Sequence, residues 1–145
     1  MTSMEKTASV TEAMNREPIT CDTGDTILTA ANWMSKYDIG DVMIVDQGKL
    51  YGILTDRDIV TRVLAEGLPI DETSVESVCT TELQALSDEA TLEDAAEAMR
   101  EHHIRRLPIV DADHKLIGVI SSGDLAMARD EDSALAEISL APAGS

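Results

Sequence analysis

The sequence predicts an α/β (α+β) fold: two tandem β-α-β-β-α repeats packed face to face about a pseudo-twofold axis. Three observations carry this. The chain resembles itself at a fixed offset, each copy alternates strand-like and helix-like apolar patterns, and one copy of about 50 residues buries too little surface to be stable alone. Sliding the chain by 65 residues aligns Val10 with Val75, Glu17 with Glu82, Thr26 with Thr91 and Ala30-Ala31 with Ala95-Ala96. Met34/Met99, Ile39/Ile104 and Ile44-Val45-Asp46/Ile109-Val110-Asp111 continue the series. Ala112-Asp113-His114 then stands against Gln47-Gly48, and the offset becomes 66 for Leu50/Leu116, Gly52/Gly118 and Asp58/Asp124.

Each copy opens with a short helical entry, Val10–Met14 and Val75–Cys79, followed by short leading strands at Ile19-Thr20-Cys21 and Gln84-Ala85-Leu86. Ile27, Ala30, Ala31 and Met34 recur at i, i+3, i+4 and i+7, as do Leu92, Ala95, Ala96 and Met99, so both copies carry an amphipathic helix. Asp25-Thr26 marks the first start, and Thr91-Leu-Glu-Asp94 is a capping-box pattern at the second. The runs Val42–Val45 and Leu50–Leu54 flank a short polar turn, as do Leu107–Val110 and Leu116–Ile120; both read as hairpins. A further helix starts after Thr55 and after Ser121. The expected organisation is a flexible segment at 1–9, repeat 1 at 10–66, a linker at 67–74 broken by Gly67 and Pro69, repeat 2 at 75–129, and a flexible tail at 130–145.

Composition narrows the function. There are 11 Lys and Arg against 28 Asp and Glu, a formal charge of −17, which opposes binding to nucleic acid and to anionic membranes. Met1–Ser9 has no apolar core of a signal peptide and no run approaches the roughly 20 residues of a membrane helix, so a cytoplasmic location is expected. With no Phe, two Tyr and one Trp, the core must be aliphatic, and seven Met fit it without a cofactor. Cys21 and Cys79 have neither redox nor zinc spacing and read as ordinary thiols, with a sensing disulfide as the alternative. No hydrolase, metalloprotease, Walker or dinucleotide fingerprint is present, and the three His lack ligand spacing, so neither catalytic nor metal-binding residues are expected.

Gly52-Ile-Leu-Thr55-Asp-Arg-Asp58 and Gly118-Val-Ile-Ser121-Ser-Gly-Asp124 both carry a G-h-h-[ST]-x-x-D ending at the same place in the repeat. His103-Ile-Arg-Arg-Leu-Pro-Ile-Val110 and the weaker Asp38-Ile-Gly-Asp-Val-Met-Ile-Val45 precede them. These segments resemble the CBS domain, named for cystathionine β-synthase, and the resemblance covers residues 10–129. It is similar to small bacterial stand-alone CBS pairs, including those of the hypoxic-response type. The resemblance implies a Bateman module, commonly a homodimer, that binds adenosyl ligands such as AMP, ADP, ATP or S-adenosylmethionine between its repeats. Such a ligand would be regulatory, as in energy sensing, with no cofactor required and an unknown downstream protein receiving the signal.

The residues suit that chemistry. Asp58 and Asp124 can accept from both ribose hydroxyls, and Thr55 and Ser121 stand where strand turns to helix beside free backbone N–H groups. The same Thr/Ser-x-x-Asp pattern is also a helix cap, and the two roles can coexist. By resemblance one site combines Ser121, Asp124 and Val119 with Ile19, Ile39 and Gly40, its phosphate looking toward Arg105 and Arg106. Adjacent strand residues face opposite ways, so one of these two Arg can reach a given phosphate. Alternatively, both serve surface salt bridges. The mirror site combines Thr55, Asp58 and Ile53 with Gln84, Ile104 and Arg105. There Gly40 and Asp41 replace the arginine pair, and an unpaired Asp about 5 Å from phosphate costs about 3 kcal/mol at an effective dielectric near 20. Arg57 can offset that. Unequal sites are expected, with the Ser121/Asp124 site preferred and the Thr55/Asp58 site weak or empty. His102 and His103 are expected to cap a helix end, and His114 to lie in a turn. The competing reading is a dimeric interaction protein that binds no nucleotide, favoured by Gln84 in an apolar slot and by Asp41.

Overall fold

A computed structural model describes residues 8–129. Most of the two segments expected to be flexible, 1–9 and 130–145, lies outside the described residues; Ala8 and Ser9 are described and make backbone contacts given below. Repeat 1 comprises a 3-10 turn (Val10–Glu12), β1 (Thr20–Asp22), α1 (Ile27–Tyr37), β2 (Asp41–Asp46), β3 (Lys49–Thr55) and α2, which begins as Asp56–Asp58 and widens to π-helical winding over Ile59–Leu64. Repeat 2 comprises α3 (Val75–Val78), β4 (Leu86–Ser87), α4 (Leu92–His102), β5 (Arg106–Val110), β6 (Leu116–Ser121) and a helix, α5, over 122–129. Each repeat forms one three-stranded sheet, ordered β1-β2-β3 and β4-β5-β6, with a parallel first pair and an antiparallel hairpin.

The leading strands fall slightly later than expected, but at the same offset. Cys21 pairs with Ile44 as Leu86 pairs with Ile109, so Gln84 stands before the strand and not in it. The hairpin turns differ by the one inserted residue. Gln47 and Gly48 both take positive φ (52° and 83°), the two-residue turn that matches strand twist. The longer second turn ends on His114 at φ 65°, and the Asp111 carboxylate accepts from the N–H groups of Asp113 and Lys115 at 2.9 and 3.0 Å. The helix starts follow the caps read from sequence. The Thr26 hydroxyl accepts from Thr29 N–H at 3.2 Å, and Thr91 and Asp94 close a capping box at 3.1 and 2.9 Å.

The central strands are apolar on both faces because both faces are covered. Val42 and Ile44 enter the repeat-1 core with Ile27, Ala30 and Leu54, whereas Met43 faces a separate layer with Leu50 and Val119 between the repeats. Leu107 and Ile109 enter the repeat-2 core in the same way.

The repeats exchange their entry segments. Val10 and Met14 are buried in the repeat-2 core, and Val75 and Val78 in the repeat-1 core. Asn15 bridges Val119, and Thr80 bridges Ile53. The helix starts are completed the same way: Leu92 N–H donates to Ala8 O at 2.8 Å, and Ile27 N–H to Thr73 O at 2.9 Å. On the axis, Leu50 N–H donates to His114 O and Leu116 N–H to Gly48 O, at 3.1 and 3.0 Å. Neither repeat therefore has a complete core without the other.

This crossing explains Gly52 and Gly118. A Cβ on Gly118 would lie 2.5 Å from Met14 Sδ and 2.9 Å from Asn15 O; one on Gly52 would lie 2.6 Å from Thr80 O. Gly118→Ala is expected to destabilise the whole unit by about 1–3 kcal/mol, the clash outweighing the entropy gained by removing a glycine. Thermal unfolding should remain one transition, shifted down by several degrees. An unchanged midpoint, or a second transition, would contradict the exchanged architecture.

The two thiols are free, Cys21 buried and Cys79 half-buried. Burial, with Asp25 and Asp22 adding to it, pushes the Cys21 thiol up to about 11, so its reactive thiolate is suppressed at neutral pH. An aromatic disulfide reagent should leave Cys21 unmodified in the native protein and titrate it fully in denaturant; rapid native modification would show that the core opens there.

Candidate functional site

The exchange leaves a cleft of about 470 Å³ between the repeats. Repeat 1 supplies Ile53, Thr55 and Asp58 from the end of β3 and the start of α2. The segment that crosses over supplies Thr80, Glu82, Leu83 and Gln84. Repeat 2 supplies His102 from the end of α4, Ile104 from the connection after it, and Arg106 and Pro108 from β5. Ile53, Leu83, Ile104 and Pro108 make an apolar slot, and polar groups stand at its edges. That combination is what a heteroaromatic ring bearing a sugar requires.

The Thr/Ser-x-x-Asp pattern is a cap in both repeats. Thr55 Oγ1 accepts from Asp58 N–H at 3.0 Å, and Asp58 Oδ2 accepts from Thr55 N–H at 3.1 Å. Ser121 and Asp124 repeat this at 3.0 and 3.0 Å. Capping engages Oδ2 of each carboxylate. Asp58 Oδ1 lies 3.7 Å from Arg62 Nε, one helical turn on, whereas Ala128 occupies the corresponding place after Asp124. Capping thus holds Asp58 at the cleft edge with a second oxygen outside the cap.

The two arginines separate, as strand alternation requires. Arg105 is exposed and absent from the cleft lining, and its carbonyl accepts from Ser122 N–H at 2.7 Å. Arg106 lines the Thr55/Asp58 cleft, the mirror of the site toward which it was expected to look. Its Nε lies 3.5 Å from Asp41 Oδ1. These two residues are pseudo-twofold equivalents, each at the start of its repeat's middle strand. Asp41, expected to face the phosphate unpaired, is instead compensated by Arg106. Both facing atoms are buried and lack a hydrogen-bond partner. Burial raises the Asp41 carboxyl above its usual range, with Arg106 pulling it down and Asp56 pushing it up. Such a contact supplies charge compensation without the directional bonds of a well-formed Arg–carboxylate fork.

The other expected residues lie elsewhere. Val119 is buried in the inter-repeat layer, Ile19 and Ile39 pack half-buried on the repeat-1 core, and Gly40 is exposed. The structure brings Ile53, Thr55, Asp58, Gln84, Ile104 and Arg106 together. Thr80, Glu82, Leu83, His102 and Pro108 join them without having been expected in a site, His102 having been read only as a helix-end residue. A signal existed for two: Glu82 is a repeat match of Glu17, and Thr80 occupies the register of Asn15, where the crossing segments pair. Among the described residues no three His, Cys, Asp or Glu gather as metal ligands, and no helix is long and apolar enough to cross a membrane.

Comparison with known proteins places this geometry. The CBS domain profile matches residues 10–65 and 75–131. The CBS domain-containing protein YhcV of Bacillus subtilis is 42% identical over 120 residues, covering 83% of this chain and 84% of that one. Hypoxic response protein 1 of Mycobacterium tuberculosis is 33% identical over 103 residues, 70% and 71% of the two chains. Among solved structures, the CBS domain pair of protein MJ0100, in complex with 5′-methylthioadenosine and S-adenosyl-L-methionine, superposes with TM-score 0.71 at 26% identity, covering 87% of this chain and 98% of that one. The duplicated sheet-and-helix unit, its exchanged entry segments and its two Thr/Ser-x-x-Asp endings are those of a tandem pair, and the chain belongs to the CBS domain family.

Proposed function

We propose that this CBS pair is a non-catalytic regulatory module that binds an adenosine-containing ligand in the Thr55/Asp58 cleft. The observation that carries the reading is the convergence on one cleft of an apolar slot and a capped carboxylate from opposite repeats. The base would lie between Ile53, Leu83, Ile104 and Pro108, and the ribose hydroxyls would donate to Asp58. Adenosyl ligands in the MJ0100 pair support the ligand class. An adenosine mononucleotide of about 23 heavy atoms at roughly 0.3 kcal/mol per atom reaches about −7 kcal/mol, near 10 μM, a useful range for sensing a metabolite. Because the ligand would bridge the repeats, binding would couple to their relative placement and so to a partner protein that reads it.

A second reading has its own observation. Val60 and Leu64 on α2 are 55% and 59% exposed, an apolar edge that suits a homodimer and would serve an interaction protein that binds no ligand.

Thermal unfolding with adenosine, AMP, ATP, 5′-methylthioadenosine and S-adenosylmethionine, with GMP as control, separates the readings. A ligand at 100 times its dissociation constant adds about 2.7 kcal/mol and should raise the midpoint by several degrees. Asp58→Ala is expected to abolish the shift. Asp94→Ala breaks the capping box of α4, away from the cleft, at a similar cost of about 1 kcal/mol, and should keep the shift. No shift with any adenine compound at millimolar concentration, or a shift that survives Asp58→Ala, would overturn the proposal.

A further inference from the structure

We infer that Asp41 is a specificity-determining residue of the Thr55/Asp58 cleft: by compensating the charge of the Arg106 guanidinium, it tunes the cleft toward adenosyl ligands with a neutral or cationic 5′ substituent and against those carrying phosphate. This rests on the proposed adenosyl site and names which members of that ligand class the site takes.

Charge is the first ground. Among the described residues lining the cleft, Arg106 is the only Lys or Arg, while Asp58 and Glu82 are both acidic. A phosphate entering the cleft meets one lining guanidinium, and Asp41 stands 3.5 Å from its Nε; the nearby Arg62 lies 3.7 Å from Asp58 Oδ1 and donates to Val78 O, so it too is already engaged. Arg106 is thus already compensated, and a phosphate must share it with a carboxylate of its own sign. At the effective dielectric of a partly buried site, one such like charge within several ångströms weakens anion binding by about 10-fold or more.

Geometry decides against the opposite role, in which Asp41 would aim Arg106 at phosphate. A carboxylate that orients an arginine does so through short directional hydrogen bonds. Here the facing Asp41 Oδ1 and Arg106 Nε are buried, yet no hydrogen bond joins them. The pair compensates charge without fixing direction, and the Arg106 side chain keeps 34% of its surface exposed. Symmetry gives the contrast its origin: equivalent positions of the two repeats carry opposite charges, so the pair forms across the axis itself.

The test is calorimetric titration of the full chain with adenosine and with AMP, which differ only by the phosphate. The wild-type protein is expected to bind the two within about 3-fold. Asp41→Asn should tighten AMP about 10-fold and leave adenosine within about 3-fold, and adding Arg106→Met should erase that gain. Wild-type AMP binding more than 10-fold tighter than adenosine would overturn the inference, and this measurement stands even if the variants fail to fold. So would an Asp41→Asn protein that binds adenosine normally but AMP no better than wild type. Binding of adenosine without AMP discrimination by Asp41 refutes this inference alone; binding of neither compound refutes the adenosyl site and this inference with it.

Discussion

The fold depends on one constraint: the entry segment of each repeat must cross to the other and run main chain against main chain along its last strand. Asn15 meets Val119 and Thr80 meets Ile53 across contacts too close for a side chain at Gly118 or Gly52. Everything larger follows from that approach. Val10 and Met14 complete one core, Val75 and Val78 the other, and the linker and the N-terminal strap supply the carbonyls that the first turns of α1 and α4 need. The hydrophobic stabilisation of each half is thereby made conditional on the presence of the other, which is how two units too small to stand alone become one stable module.

The same crossing builds the cleft. The segment that leaves the Ile53–Thr80 contact carries Glu82, Leu83 and Gln84 past the end of β3, opposite Ile104 and Pro108. Asp58 is held at the mouth by a capping box, so a structural bond and the proposed ribose-binding group share one side chain. The two repeats share a sheet topology but not their charges. Arg62 follows Asp58 where Ala128 follows Asp124, and Asp41 faces Arg106 across the axis. Both charge differences border the cleft through its lining residues Asp58 and Arg106.

Much of the fold was legible because duplication lets each element be read twice. The 65-residue offset located both amphipathic helices, both hairpins and the Thr91/Asp94 box from residues alone. What the sequence could not show was exchange: Val10 and Val75 read as entries to their own repeats, and periodicity carries no information about which core an apolar residue joins. The motif glycines were visible, but their reason, a partner main chain at 2.6 Å (Gly52) and 2.9 Å (Gly118) from a missing Cβ, is a tertiary fact. The candidate site was legible in part. Of the group Ile53, Thr55, Asp58, Gln84, Ile104 and Arg105, all but Arg105 line one cleft, and Arg106, expected to look toward the other site, lines it instead, because the reach of a long side chain across an axis depends on where the opposite charge lies. Leu83 carries no local signal, and Thr80 only its repeat register with Asn15.

A crystal structure of the full chain grown with 5′-methylthioadenosine would test the central claim most directly. The account predicts the adenine between Ile104 and Leu83, the ribose hydroxyls on the Asp58 carboxylate, and the Asp41–Arg106 contact intact beside the thioether. Ligand bound only at Ser121/Asp124, or on an outer helix face with the Thr55/Asp58 cleft holding solvent, would contradict it.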